Sequence, residues 1–207
     1  QLQHLDNLPP LLDSLLVTAR AQDPDVASRE PRLLQVLTLT DLGRWREARE
    51  PLTHAEALFA PLRKDRRYSA RAFAFARAHW ALAADELAQA QESVDEARAI
   101  VMATAPREDP AWHRIHHLQA RVHLAQGRAA EALGDAEEAL TRSRGWAIEP
   151  EASMTVAEDL LLRSQARHAL GERDTARADA TAAQRHAQAA AGADHPLVAR
   201  ARSESLR

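Results

Sequence analysis

Four histidines between positions 113 and 123 offer the clearest chemistry in this chain. His113, His116 and His117 form an H-x-x-H-H run, and His123 follows His117 after five intervening residues. Because His113 and His117 are four residues apart, a helix would place them on one face, where their ring nitrogens can chelate zinc, copper or nickel. However, no acidic ligand stands at the offset that is usual in helical metal motifs. We therefore interpret the run as a polar helix face and assign no metal site and no cofactor.

A short basic cluster beside an aromatic residue is the second candidate. It reads RKDRRY over residues 63–68, and such a cluster can contact phosphates. Asp65 interrupts it, however, and the formal net charge of the whole chain is −3, with both signs mixed along the sequence. We interpret the cluster as a solvated linker and expect no nucleic-acid partner.

The four tryptophans divide between packing and binding. Trp45 and Trp80 fit packing between helices, Trp112 begins a helix, and Trp146 falls in a predicted loop over 143–150. Trp146 is either an exposed anchor for a partner or a ring folded back onto neighbouring helices. Burial of the large ring favours the second alternative.

Motifs that would carry catalysis are missing. The sequence has no phosphate-binding loop, no dinucleotide glycine pattern, no G-x-S-x-G and no H-E-x-x-H. The carboxylates of Asp135, Glu137 and Glu138 are predicted on an exposed helix face, and no two acids are predicted to share a dry cleft. We therefore predict that the protein is not an enzyme.

Composition favours an all-α fold. Hydrophobic residues make up 45% of the chain but aromatic residues only 4%, so the apolar surface is mostly alanine and leucine, which are strong helix formers. No cysteine is present, which excludes disulfides and thiolate metal sites and fits a reducing compartment. No stretch has the length and hydrophobicity of a membrane span, so we expect a cytoplasmic protein without membrane insertion.

A repeated helix–turn–helix pattern organises the chain. Its predicted turn positions, Gly43, Asp85, Gly127 and Gly171, are 42, 42 and 44 residues apart. Alanine stands five and twelve residues after each turn, and these two positions lie on one face of a helix. A methyl group there allows the second helix of a pair to approach the first closely. The eight alanines are Ala48, Ala55, Ala90, Ala97, Ala132, Ala139, Ala176 and Ala183.

The pattern predicts four helix pairs and a terminal helix. Pro51 falls inside the second predicted helix, so we expect a kink there or a later start. The predicted pairs are 28–42 with 44–60, 68–84 with 86–104, 111–126 with 128–142, and 151–170 with 172–190. We divide a single domain over 1–207 into a partial repeat or N-terminal cap at 1–27, repeats at 28–67, 68–109, 110–150 and 151–192, and a capping helix at 193–207.

This pattern resembles the tetratricopeptide repeat (TPR) family. The turn, the paired alanines and a small residue seven positions before the turn (Ala78, Ala120 and Ser164, with Val36 in the first repeat) carry the resemblance. The 42-residue period and the closing segment GADHPLVARAR are similar to the kinesin-light-chain-like branch, as found in bacterial proteins. The resemblance implies a right-handed α-solenoid of about four repeats with capping helices, in which the first helix of each pair lines a concave groove.

The resemblance also implies which residues contact a partner. Groove positions lie ten, six and three residues before each turn. The middle of this surface is rich in histidine and arginine, so we expect an acidic segment or a C-terminal carboxylate as the partner, with Arg114 and Arg121 as its anion contacts. The alternative is that these are simply solvated polar positions. The predicted groove residues are Phe75, His79, Arg114, His117, Arg121, Gln165 and His168.

The predicted function is therefore non-catalytic protein–protein interaction, as a scaffold module that binds a peptide or a partner segment. The chain opens at Gln1 without a methionine, so we expect it to be a piece of a longer protein. The resemblance implies that it is the C-terminal part of a larger bacterial signalling protein. The alternative is a regulatory domain of a serine/threonine kinase or transcriptional regulator that senses a peptide or small ligand. A third hypothesis is self-assembly through residues 1–22, and we expect a monomer or a weak homodimer.

Overall fold

A computed structural model describes residues 29–59 and 68–207, and these residues form α-helices and no strand. The prediction of an all-α fold is thus confirmed. The predicted partial repeat at 1–27 and the basic residues at 63–67 lie outside the described residues. The helices are α1 Arg29–Asp41, α2 Arg49–Phe59, α3 Tyr68–Ala83, α4 Leu87–Thr104, α5 Ala111–Ala125, α6 Ala129–Trp146, α7 Met154–Ala169, α8 Arg173–Ala191 and α9 Pro196–Ser205.

The described helices divide into two compact units, with the boundary between Pro106 and Arg107. Helices α1 to α4 lie in the first unit and α5 to α9 in the second. The division falls in the linker that the sequence predicts between the second and third repeats. The prediction of one domain over the whole chain stays a prediction.

Inside each unit, helices pack against their neighbours in sequence, and the first helix of a pair also packs against the helix after next. In the second unit α5 packs on α6, α6 on α7, α7 on α8, and α8 on α9, while α7 also contacts both α5 and α9. In the first unit α1 packs on α2, α2 on α3, α3 on α4, and α1 also on α3. The first helices of consecutive pairs are therefore in direct contact within a unit.

All four predicted turn positions adopt the left-handed backbone conformation. Their φ angles are 73° at Gly43, 60° at Asp85, 74° at Gly127 and 82° at Gly171. At Gly127 the backbone N–H of Arg128 donates to the carbonyl of His123 (2.8 Å), and that of Gly127 donates to Leu124 (3.0 Å). The same two bonds close each of the other turns. This Schellman geometry satisfies the last carbonyls of the first helix and requires a residue that tolerates positive φ.

The alanines at the fixed offsets are all buried, as the close-packing argument predicts. Seven of the eight have no exposed surface, and Ala176 is 4% exposed. The residues seven positions before the turns, Val36, Ala78, Ala120 and Ser164, are also completely buried. Small side chains therefore fill the contact between the two helices of each pair, which allows the helix backbones to approach closely.

Three helix boundaries differ from the prediction by three residues or more, and one of them is the start of α7 at Met154 rather than at 151. Helix α2 begins at Arg49 rather than at 44, because Pro51 has no N–H to donate and fits only in a first helical turn. This is the later start that Pro51 suggested. Helix α6 continues to Trp146 and so takes in part of the loop predicted over 143–150. Gly145 alone does not end the helix, and the next residue that cannot continue a helix, Pro150, comes four residues after Trp146. Trp146 is therefore a helical residue, not a loop residue.

A candidate site on helices α5 and α7

The four histidines of α5 point toward two different neighbouring helices. His113 and His117 contact α7, whereas His116 and His123 lie beside α6. His113 and His117 are four residues apart and His116 and His123 are seven apart, so each of these two pairs shares a helix face. Adjacent residues such as His116 and His117 point about 100° apart around the helix, so the run divides between the two neighbours. The sequence predicts one polar face, but the four histidines belong to two separate clusters, one with Asp159 and one with Asp135.

Asp159 joins His113 and His117 into a three-residue cluster. Nε2 of His113 lies 2.8 Å from Oδ2 of Asp159, and Nδ1 of His117 lies 2.8 Å from Oδ1. The Asp159 side chain has no exposed surface, while the histidine side chains are 13% and 19% exposed. One buried carboxylate thus accepts a hydrogen bond on each oxygen from an imidazole of the neighbouring helix.

The two imidazoles determine the ionisation of this carboxyl group. Burial, the largest single influence, raises the pKa of Asp159, but the hydrogen bonds from His113 and His117 and their charges together outweigh it. The net result is a pKa of Asp159 below its usual range. Asp159 is therefore a carboxylate at neutral pH although it has no contact with solvent.

Helix α7 positions Asp159 through its ordered start and its apolar face. Ser153 caps the helix, because its side-chain oxygen accepts a hydrogen bond from the backbone N–H of Val156 (3.3 Å). Val156 and Leu160, on either side of Asp159, are buried in the core of the second unit. Asp159 is thus fixed on the packed side of α7 that faces α5.

A second histidine–carboxylate cluster lies between α5 and α6. Nδ1 of His116 is 2.9 Å from Oδ1 of Asp135. Nδ1 of His123 is 3.1 Å from Oδ2 of Asp135, but at an angle that makes no hydrogen bond. The side chain of Asp135 is only 17% exposed, which corrects the prediction that it lies on a solvated face. Glu137 is 51% exposed and Glu138 44%, so those two residues are accessible as predicted.

The equivalent position in the next helix pair has arginines instead of histidines. Asp179 stands eight residues after its turn, as Asp135 does. Arg163 donates to Asp179 through Nε (2.8 Å), and Arg167 donates through Nη1 (2.8 Å). Because arginine is always charged, two permanent cations hold the carboxylate of Asp179. Arginines therefore hold the carboxylate of Asp179, whereas imidazoles contact those of Asp135 and Asp159.

Trp146 closes one side of the Asp159 cluster. Its ring meets the His113 ring edge-on, with centroids 5.4 Å apart, and the residue is 39% exposed. Of the two alternatives for Trp146, the ring folds back onto α5 while keeping an accessible edge. This contact makes the indole a direct neighbour of the cluster.

The predicted groove residues of the second unit lie on α5 and α7, which pack against each other. Arg114 is exposed, and His117, Arg121, Gln165 and His168 are partly buried. Arg114, His117 and Arg121 share one face of α5 because they are spaced by three and four residues. The structure thus brings these five predicted residues onto two adjacent helices. His117 contributes both to this predicted surface and to the hydrogen bond with Asp159.

The predicted groove residues of the first unit behave differently from each other. His79 is 21% exposed, and its Nε2 lies 2.7 Å from Oδ1 of Asp41. Phe75 is only 5% exposed and belongs to the core, which removes it from the predicted binding surface. The reason is that α3 packs against α1, α2 and α4 together, so the whole run from 73 to 78 is buried.

Asp159 is not found from the spacing of the histidines, because helical metal motifs place the acidic ligand close to them along the same helix. The acid comes instead from α7, 42 residues after His117 and 46 after His113. One signal was present: Asp159 is a charged residue within the apolar stretch VAEDLLL, and buried carboxylates are rare unless they are paired. The ground on which a metal site was set aside therefore does not hold in the folded chain.

A comparison with protein-family models, with curated proteins and with solved structures finds no match to this chain. None of the described helices combines the length and the apolar character that crossing a membrane requires.

Proposed function

We propose that each unit of this chain is a stretch of tetratricopeptide-type α-solenoid and that the protein is a non-catalytic module for binding a protein or peptide segment. Three features support the repeat assignment: turns of the same geometry at intervals of 42 to 44 residues, buried alanines at fixed offsets, and contacts between the first helices of consecutive pairs. In repeats of this type, the first helices present the binding surface.

We infer that the partner is an acidic segment, and the arginine pair on α5 is the observation that carries this proposal. Arg114 and Arg121 stand seven residues apart, two helical turns along the same face. That spacing suits an extended peptide with carboxylates about 10 Å apart, since two turns of helix rise by roughly that distance. Guanidinium groups bind carboxylates with strong, directional hydrogen bonds.

Helix α7 extends the proposed surface. Gln165 and His168 are partly exposed on the helix that packs beside α5. An amide side chain and an imidazole are suited to hydrogen-bonding the backbone of an extended segment. The proposed surface is thus cationic on α5 and polar on α7, and it is defined by Arg114, His117, Arg121, Gln165 and His168.

Fluorescence anisotropy with three labelled peptides tests this proposal. The first has an acidic sequence with a free C-terminal carboxylate, the second is the same peptide amidated, and the third has lysine at every acidic position. We expect the acidic peptide to bind in a salt-sensitive manner and the lysine peptide not to bind. The amidated peptide reports whether the terminal carboxylate contributes.

Charge reversal at the groove supplies the matched comparison. Arg121→Glu should weaken binding of the acidic peptide about tenfold or more, because it replaces an attraction with a repulsion. Arg185→Glu, an exposed arginine on α8, makes the same charge change outside the proposed surface and should leave affinity unchanged. Equal effects of the two variants, or equal affinity for the acidic and lysine peptides, would contradict the proposal.

A further inference from the structure

We propose that His113, His117 and Asp159 form a binding site for a divalent transition-metal ion of the zinc class. No two of the three ligand atoms that these side chains offer are more than 4.8 Å apart. The site shares His117 with the proposed peptide surface, but it follows from the positions of the three ligands and does not depend on peptide binding.

The ligand types suit such an ion. Zinc takes imidazole nitrogen and carboxylate oxygen at about 2.0 to 2.2 Å, in a tetrahedral arrangement. Two histidines four apart on one helix already form half of such a site, and Asp159 opposes them from α7. The ligand atoms need only small side-chain rotations to surround one ion, since each imidazole nitrogen is now 2.8 Å from a carboxylate oxygen.

The electrostatics of the cluster also favour a cation. The Asp159 carboxylate is fully buried, and within the described part of the chain its hydrogen bonds come only from the two imidazoles. Asp179, by contrast, is held by two arginines. A divalent ion between His113, His117 and Asp159 would supply the fixed positive charge that a buried carboxylate requires.

Each ligating imidazole nitrogen must carry no proton when the metal is bound. A neutral imidazole keeps its proton on the other ring nitrogen and releases none, whereas a protonated imidazole releases one proton to solvent. Three protein ligands leave one tetrahedral position for water or an external ligand. The partial exposure of His113 and His117, 13% and 19%, provides access to that position.

Metal binding would also join two helix pairs. The metal ligands come from α5 and α7, which are the first helices of consecutive pairs in the second unit. Because the site is absent from the unfolded chain, zinc raises the thermal midpoint, and the rise continues with the logarithm of the free zinc concentration after the site is filled. The ion thus has a measurable effect on the fold in addition to its binding isotherm.

Isothermal titration calorimetry with Zn²⁺ on the EDTA-treated, tag-free chain is the direct test. We expect one ion per chain, with Mg²⁺ and Ca²⁺ failing to compete, because these ions prefer all-oxygen sites. His117→Gln and Asp159→Asn should each weaken zinc binding by about tenfold or more, while circular dichroism confirms that the variants are folded. His116→Gln is the matched control, because His116 belongs to the same run but pairs with Asp135.

Trp146 provides a second readout. Its ring lies 5.4 Å from the His113 ring, so Cu²⁺ in the site should quench its fluorescence at one equivalent. Trp146→Phe should remove that quenching while leaving the zinc isotherm intact. The absence of a zinc isotherm and of a zinc-dependent rise in the thermal midpoint would overturn the proposal, as would equal losses in His116→Gln and His117→Gln.

Discussion

His117 and Asp159 are 42 residues apart in the sequence, yet Nδ1 of His117 lies 2.8 Å from Oδ1 of Asp159. This contact joins the first helices of two consecutive pairs through one completely buried carboxylate. Because the acid has no access to water, its charge depends on the imidazoles that face it. The contact is therefore a structural link whose strength changes with pH.

The pH dependence of stability provides the first prediction. In the presence of EDTA and at neutral pH, Asp159→Asn should lower the free energy of unfolding by about 1 to 3 kcal/mol, because the charged acceptor of two hydrogen bonds is lost. Since the pKa of Asp159 is depressed in the folded protein, the stabilisation is complete above the ordinary pKa of about 3.9. It is lost as the pH falls through the lower folded-state value.

Urea unfolding of the wild type and the variant between about pH 7 and pH 2.5 measures this difference. The gap should be widest above about pH 4 and should close in more acidic solution, where the wild-type carboxyl is protonated. Glu158→Gln changes an exposed acid on the preceding residue of α7 and should change stability by less than about 0.5 kcal/mol. A gap that persists unchanged at pH 2.5 would exclude the carboxylate as its cause.

The second prediction is that replacing glycine with alanine has opposite effects at a turn and inside a helix. Gly127→Ala should destabilise the second unit by about 1 kcal/mol, because an L-residue at φ 74° is strained although the added methyl meets no atom within 4 Å. Gly134→Ala, inside α6, also meets no atom within 4 Å and should stabilise the fold by about 0.5 to 1 kcal/mol. Urea unfolding at pH 7 measures both.

The same two variants control each other, since each adds one methyl group to the same helix pair. Destabilisation by both would mean that the methyl group, not the backbone conformation, determines the effect. A stabilising Gly127→Ala would contradict the left-handed turn geometry on which the repeat alignment depends.

The buried alanines provide the third prediction. Ala132 has no exposed surface in the contact between α5 and α6, so Ala132→Leu should destabilise the second unit by about 1 to 3 kcal/mol through overpacking. Ala130 is exposed on the same helix, and Ala130→Leu should change stability by less than about 0.5 kcal/mol. Thermal unfolding followed by circular dichroism compares the two, and equal midpoints would show that the helices do not pack closely at Ala132.

The turns and the alanine contacts could be predicted from sequence because both are local. A left-handed turn needs glycine or a tolerant residue at one position, and Asp85 adopts the same conformation, with φ 60°. The offsets of five and twelve residues map directly onto one helix face, which is why Ala132 and Ala139 are buried as predicted. The later start of α2 also follows from a local cause, the missing N–H of Pro51.

The surroundings of individual polar residues could not be predicted in the same way. Asp135 reads as an exposed acid by its helical position, but the neighbouring α5 covers it and supplies His116. Phe75 reads as a groove residue by its repeat position, but three helices surround α3 and bury the ring. Both outcomes depend on which helix lies opposite, and that is a property of packing between elements.

The sequence by itself determined that the described chain is helical, where its turns fall and which small residues face the helix partner. These features depend on backbone conformation and on a period of 3.6 residues, both of which are local properties. Only the tertiary structure decided that His113 and His117 meet Asp159, because no local rule connects positions 42 and 46 residues apart. The histidines meet Asp159 because of how α5 and α7 are rotated and how far apart they lie. Side-chain packing along both helices determines that rotation and that distance.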